Sequence, residues 1–215
     1  MKIPRKQLKK KRMSGAERRS QIVLVATSLF SKKGFRGTTT REIAQKAGIS
    51  EAVIFKHFAK KRELYKAIID ARCSDGSGQS RLMSALKGKD GPGVFKTLAV
   101  YLMNENIQDP SFLRLLTYSA LERQKLSDIF IRSKGLELIQ FIESRIRELS
   151  AKGLIRKVDP KTAARAFMGM VLHYCLSQGV YGLGKYYKKP NSYVAGVFVD
   201  IFFNGMKRRQ LCLPA

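Results

Sequence analysis

Apolar residues in the first third of this chain recur every three or four positions, and each run is cut short by a glycine or a small polar residue. Ile22, Ala26 and Leu29, with Val25 and Phe30 beside them, predict one helix. Ser14, followed three residues later by Glu17, predicts its capping box, and Gly34 predicts its end. Thr38 to Thr40 read as a second cap, followed by a short helix marked by Ile43, Ala44 and Ala47 and broken at Gly48. Ser50 caps a third helix over 51–57 that carries Ile54, with Phe58 just after it. A fourth starts near Lys60 and carries Leu64, Ile68 and Ile69.

Beyond it, Ser74 to Ser80 and the Gly- and Pro-containing stretch 88–93 read as loops. The remaining patterns are helical, near 79–87, 94–107, 111–123, 126–151, 160–182 and 191–209. No alternating strand pattern persists, and there is no internal repeat. The expected fold is all-α: a three-helix head, then a larger helical domain. The expected division is an arm at 1–13, a head at 14–66 and a second domain at 67–215.

Charge sharpens this picture. The chain has 42 Lys and Arg against 16 acids, a formal charge of +26. Residues 1–66 alone hold 19 basic and 4 acidic side chains. So uneven an excess points to a polyanionic partner. Residues 1–12 hold seven of those basic residues and few apolar ones, which predicts a basic arm unable to fold alone.

Cys73, Cys175 and Cys212 are widely separated and odd in number, which predicts neither a disulfide framework nor a zinc site. No signal-peptide pattern follows the N-terminus. The longest apolar stretch, Ala166 to Leu176, is too short to span a bilayer. A soluble cytoplasmic protein without membrane contact is expected.

Three short helices, the last two joined by Ala47-Gly48-Ile49-Ser50, predict a helix-turn-helix. Small Ala44 and Ala47 let two helices cross closely, and Gly48 suits a tight left-handed turn. Burying Ile54 turns Glu51, Ala52, Val53, Phe55, Lys56 and His57 outward. A helix so decorated suits a DNA major groove. His57 has no second metal ligand one turn away, so no metal site is expected.

Residues 37–64, GTTTREIAQKAGISEAVIFKHFAKKREL, resemble the DNA-binding signature of the tetracycline-repressor (TetR) family. The Thr cluster, Ile-Ala, Ala-Gly-Ile-Ser, the aromatic-x-x-Phe pair and the later Lys and Leu share its spacing. The resemblance implies that Thr39 and Thr40, with Arg41 beside them, meet a phosphate, and that Lys61 clamps another. It implies contacts from Ser50, Glu51, Ala52, Val53, Phe55, Lys56 and His57, with Lys56 and His57 touching backbone and base edges. Ala52 stands where the family often has Gly, and Phe55 where it often has Tyr, so the hydroxyl of one phosphate contact is missing.

The resemblance further implies double-stranded operator DNA as partner. It also implies a homodimer built on the last two long helices, where Phe198, Ile201, Phe202 and Gly205 form an apolar stripe that Ala195 helps another helix approach. A small-molecule effector is expected between the middle helices and residues 160–182. Its candidate contacts are Met103, Phe112, Leu116, Tyr118, Phe130, Phe167, His173 and Tyr174. Acids are scarce in the apolar stretches, which favours an apolar or anionic effector. No nucleophile–base pair, paired carboxylates, phosphate loop or cofactor motif is present, so an enzyme is not expected. The function expected is a ligand-responsive transcriptional repressor. The competing expectation is a constitutive or nucleoid-associated DNA-binding protein without a ligand.

Overall fold

The computed structural model describes residues 13–207 apart from 75 and 124; all but the last residue of the expected basic arm, together with Cys212, lie outside the described residues. The first four helices are α1 (Gly15–Lys33), α2 (Thr40–Ala47), α3 (Glu51–His57) and α4 (Lys61–Ser74). After them come α5 (Gly76–Leu86), α6 (Gly91–Gln108), α7 (Ser111–Leu121), α8 (Lys125–Phe130), α9 (Leu136–Ala151), α10 (Pro160–Gly179) and α11 (Asn191–Gly205). No strand occurs among the described residues.

The helix ends follow side-chain chemistry. Ser14 and Glu17 form the expected capping box on α1. Asp90 accepts the Gly93 amide at 2.7 Å, and Asp159 accepts that of Thr162 at 2.7 Å; each carboxylate satisfies an amide that the first helical turn leaves unpaired. The Asp90 cap and Pro92 start α6 at Gly91, within a stretch expected to be loop. Similarly, α5 begins at Gly76, where glycines and serines suggested a loop; their low helix propensity is a weak constraint that packing overrides. The expected single helix over 126–151 is instead α8 and α9, joined by a π-type turn at Ile131–Gly135.

Two cores result. One is built around α6 and α10: α5, α10 and α11 pack against α6, and α9 packs against α10. At its centre Phe95 meets Phe167 edge-on at 4.9 Å, stacks with Phe202 at 5.6 Å and meets Phe203 at 5.1 Å. The second core belongs to the head, with Ile22, Phe30, Ile43, Ile54, Phe58, Leu64 and Tyr65 buried in it. Phe112 and Leu115 of α7 complete that head core, so the C-terminal helices finish the interior of the N-terminal ones. α4 runs unbroken through residue 67 and links the two parts.

Cys175 is buried, its Sγ 3.8 Å from the Leu102 carbonyl, and burial pushes its thiol up to about 11, as befits an unreactive core side chain. No helix among the described residues is long and apolar enough to cross a membrane.

Replacing Phe95 with Ala opens a cavity in the aromatic cluster, where the ring is 1% exposed. Urea unfolding should show a loss of about 3–5 kcal/mol, the usual cost of removing a buried Phe side chain.

Candidate nucleic-acid interface

The head presents α3 by a short sequence of local decisions. Thr39 caps α2, and Glu42 returns the interaction by accepting the Thr39 amide at 2.9 Å. Lys33 at the end of α1 pairs with the same carboxylate at 2.6 Å. The Lys33 hydrogen bond first, then that of the Thr39 backbone, hold the Glu42 carboxyl down to about 2. Gly48 takes φ 68° and ψ 36°, the left-handed conformation that ends α2, and the Ile49 amide closes the turn on the Ala44 carbonyl at 3.0 Å. Ala44 and Ala47 are buried where the helices cross.

Ser50 occupies the N-cap of α3 with extended backbone, but its side chain makes no cap hydrogen bond, contrary to expectation. The Ser50 carbonyl accepts the Val53 amide at 3.1 Å and starts the helix without it.

On α3 itself only Ile54 is buried; Ala52, Phe55 and Lys56 are exposed, while Glu51, Val53 and His57 are half-buried. Phe55 keeps 48% of its surface in water. Thr40 and Glu51 do not both point away as expected, because the Thr40 hydroxyl donates to the Glu51 carboxylate at 3.0 Å and ties the starts of α2 and α3 together. Arg41 is exposed beside them.

Lys61, at the first residue of α4, lies with its Nζ 4.2 Å from the centre of the Phe35 ring. Burial lowers its pKa, opposed by the nearby charges of Glu122 and Glu42. It is a cation seated on an aromatic face at the head's surface.

The eight effector candidates are not gathered in one described cavity. Met103 and Phe167 are fully buried in the C-terminal core. Phe112 and Phe130 meet edge-on at 4.9 Å, and Leu116 packs with them against the head core. Phe112 also borders a cleft of about 530 Å³ between α1 and α4, with Arg19, Val23, Leu24 and Arg72. His173 and Tyr174 line a separate groove of about 460 Å³ with Met170, Leu183, Val194 and Phe198. Tyr118 turns to the head, where its hydroxyl donates to the Lys32 carbonyl at 3.1 Å.

Sequence reasoning missed a neighbour of Tyr118. Glu122, just past the end of α7, accepts the backbone amides of Phe35 at 3.0 Å and Arg36 at 3.3 Å. No local pattern marks it, since its partners lie more than eighty residues away. Among the described residues no group of His, Cys, Asp and Glu could hold a metal ion.

The hold on the Glu42 carboxylate makes the head's stability depend on pH. A carboxylate held at about 2 in the folded chain, against an ordinary 4.5, supports the head fully above that ordinary value. The support should fade as pH falls through about 2. A side-chain NMR titration of Glu42 should place its midpoint near there, and Lys33→Ala should move it back toward the ordinary range.

Comparison with known proteins accounts for both halves. Residues 22–68 match the family model for bacterial regulatory proteins of the tetR family, and residues 100–205 match that of the AefR-like transcriptional repressor C-terminal domain. The HTH-type transcriptional regulator YvkB of Bacillus subtilis strain 168 is 27% identical over 159 residues, 72% of this chain and 79% of its own length. The nucleoid occlusion factor SlmA of Escherichia coli K12 (DH10B) is 25% identical over 170 residues, 77% of this chain and 82% of its own. The crystal structure of AibR in complex with isovaleryl coenzyme A and operator DNA superposes with a TM-score of 0.69 at 22% identity, covering 87% of this chain and 98% of that one. With a helix-turn-helix head and an all-helical C-terminal part each matched to that family, the chain belongs to the TetR family of DNA-binding transcriptional regulators.

Proposed function

We propose that the protein is a homodimeric repressor whose two heads, at residues 14–66, read a palindromic operator and whose second domain, at 67–215, binds an effector and holds the dimer. The observation that carries the reading is the outward side of α3. Ala52, Phe55 and Lys56 stand free on a helix fixed by Gly48 and by the buried Ile54. Val53, Phe55, Lys56 and His57 meet base edges and adjacent backbone, with the Phe55 ring suited to a thymine methyl group. Thr39, Arg41, Ser50 and Lys61 meet phosphates. The Thr40 hydroxyl can donate to a phosphate only by giving up its hydrogen bond to Glu51, whose carboxylate keeps other acceptor positions.

Support for the dimer comes from an unfilled face. On α11, Tyr193, Val197 and Ile201 are 59%, 39% and 57% exposed, and they recur every fourth residue with exposed Gly205. On α10, Thr162, Ala166, Gly169 and His173 are exposed at similar spacing. Nothing lies within 4 Å of where a side chain on Gly169 or Gly205 would begin, so another helix has room to approach closely. Phe202 and Ala195, expected in this face, instead pack inside the monomer, and Phe198 meets Tyr174 beside the groove at 5.8 Å. Two copies joined here can place their recognition helices about one DNA turn, ~34 Å, apart.

The effector is an apolar or anionic small molecule. No acid occurs between Asp159 and Asp200, so α10 and its connection to α11 offer no counter-charge to a cation. AibR, which shares this fold, was solved with both an acyl coenzyme A and operator DNA, which supports an anionic ligand with an apolar tail. A second reading, a nucleoid-associated protein without an effector, draws support from the likeness to SlmA and from the +11 charge of residues 67–215.

Two measurements test the proposal. Lys61→Ala should weaken binding to all duplexes alike and lower the salt slope by roughly 1 for each phosphate no longer neutralised, because a phosphate contact positions without reading sequence. An unchanged slope removes Lys61 from the interface. Ile201→Asp should give a monomer by sedimentation velocity at low micromolar concentration, with operator affinity abolished, because a charge would be buried without a partner. A dimer that persists in this variant rules out the α11 face.

A further inference from the structure

The end of α7 meets the turn joining α1 to α2 differently from the start of the helix, where Phe112 and Leu115 pack into the head core through apolar surface. Here the contact is polar and directional. The Glu122 carboxylate accepts two successive backbone amides, from Phe35 at 3.0 Å and from Arg36 at 3.3 Å. One turn earlier on the same helix, the Tyr118 hydroxyl donates to the Lys32 carbonyl at 3.1 Å. The two side chains thus grip both sides of Gly34.

Gly34 fits that grip. Its φ is +71°, a conformation that favours glycine, and a Cβ there would collide with the Glu122 carboxylate and press on the Tyr118 ring. The gripped turn is also the lead-in to the DNA-reading elements. Phe35 carries the Lys61 ammonium on its ring at 4.2 Å, and Thr38, buried, donates its hydroxyl to the Gly34 carbonyl at 2.9 Å immediately before the α2 cap. On its other side Glu122 is followed by Arg123, whose φ of +54° is the one left-handed non-glycine backbone among the described residues. A sparsely populated conformation persists where its surroundings hold it.

We infer that Glu122 is a positioning residue for DNA binding: its carboxylate fixes the α1–α2 turn to the C-terminal helices and so sets where α2, α3 and Lys61 stand. The inference rests on the operator-binding reading above. It goes beyond that reading by naming the group through which a displacement of α7 reaches the head. Charge-assisted hydrogen bonds to backbone amides are strong for their number, and they break over a short distance, so a small movement of α7 has a discrete effect.

The test uses the full-length chain and a duplex selected by the wild type from a random-sequence pool. Glu122→Ala removes both acceptors, while Glu122→Gln keeps one uncharged acceptor oxygen in the same place and preserves the fold if the Ala variant does not. Amide exchange by NMR should be at least about tenfold faster at Phe35 and Arg36 in the Ala variant, with Gln between it and wild type, reflecting removal of a charge-assisted pair. Operator affinity should fall roughly tenfold in the Ala variant and less in Gln, with the salt slope unchanged because every phosphate remains neutralised. A purely structural role would lower the melting temperature without this ordering and without exchange confined to the turn. Wild-type affinity in the Ala variant, or a weakening accompanied by a smaller salt slope, overturns the inference while leaving the operator-binding reading intact. Failure of the wild type to select any duplex overturns both, even where the exchange pattern at Phe35 and Arg36 is as expected.

Discussion

The packing of α7 across α1 is the constraint on which the rest of the molecule depends. Phe112 and Leu115 close a core whose other members all lie between residues 22 and 69, apart from Leu116 and Phe130 at its edge. Without α7 the head would expose apolar surface around Phe30 and Tyr65, which are 0% and 2% exposed in the assembled chain. The head is therefore not a bead on a string. Its orientation is inherited from the helices behind it, and α4, continuous through the expected boundary, offers a second mechanical link. A protein built this way can report an event in its C-terminal part by a shift in its N-terminal part, which is the physical requirement for a ligand-responsive regulator.

Much of the head was legible because its determinants are local. The Ser14–Glu17 capping box spans four residues, the Thr39 cap lies within the Thr38 to Thr40 run, Gly48 ends α2 as a glycine suits, and the burial of Ile22, Ile43 and Ile54 follows from helical spacing alone. What the sequence could not disclose is what depends on distant partners. The Thr40–Glu51 hydrogen bond crosses eleven positions and the Glu122 contact eighty-seven, and neither leaves a periodic trace. Ser50 was legible as a cap position but not as a cap hydrogen bond, which depends on a rotamer rather than a residue type.

The C-terminal part was legible as helices and less so as faces. A helix as apolar as α11 does not announce which side is turned inward: Phe202 packs into the monomer while Ile201, its neighbour in sequence, is 57% exposed. The same ambiguity scattered the effector candidates. Large apolar residues such as Met103 and Phe167 serve the core first, and only their neighbours in space distinguish a core side chain from a ligand contact. The interruption at Ile131–Gly135 changes the helix from α to π geometry without a proline, a change that apolar periodicity does not encode.

In the proposed complex two heads, held by one dimer, read one operator. Hydroxyl-radical footprinting of the wild-type protein on the DNA flanking its own gene tests it most directly. Such a dimer should leave two symmetric protected patches on one face of the duplex, centred about one helical turn apart and related by a palindrome. Even protection along the whole duplex, independent of sequence, would contradict it and would leave a non-specific DNA-coating protein in its place.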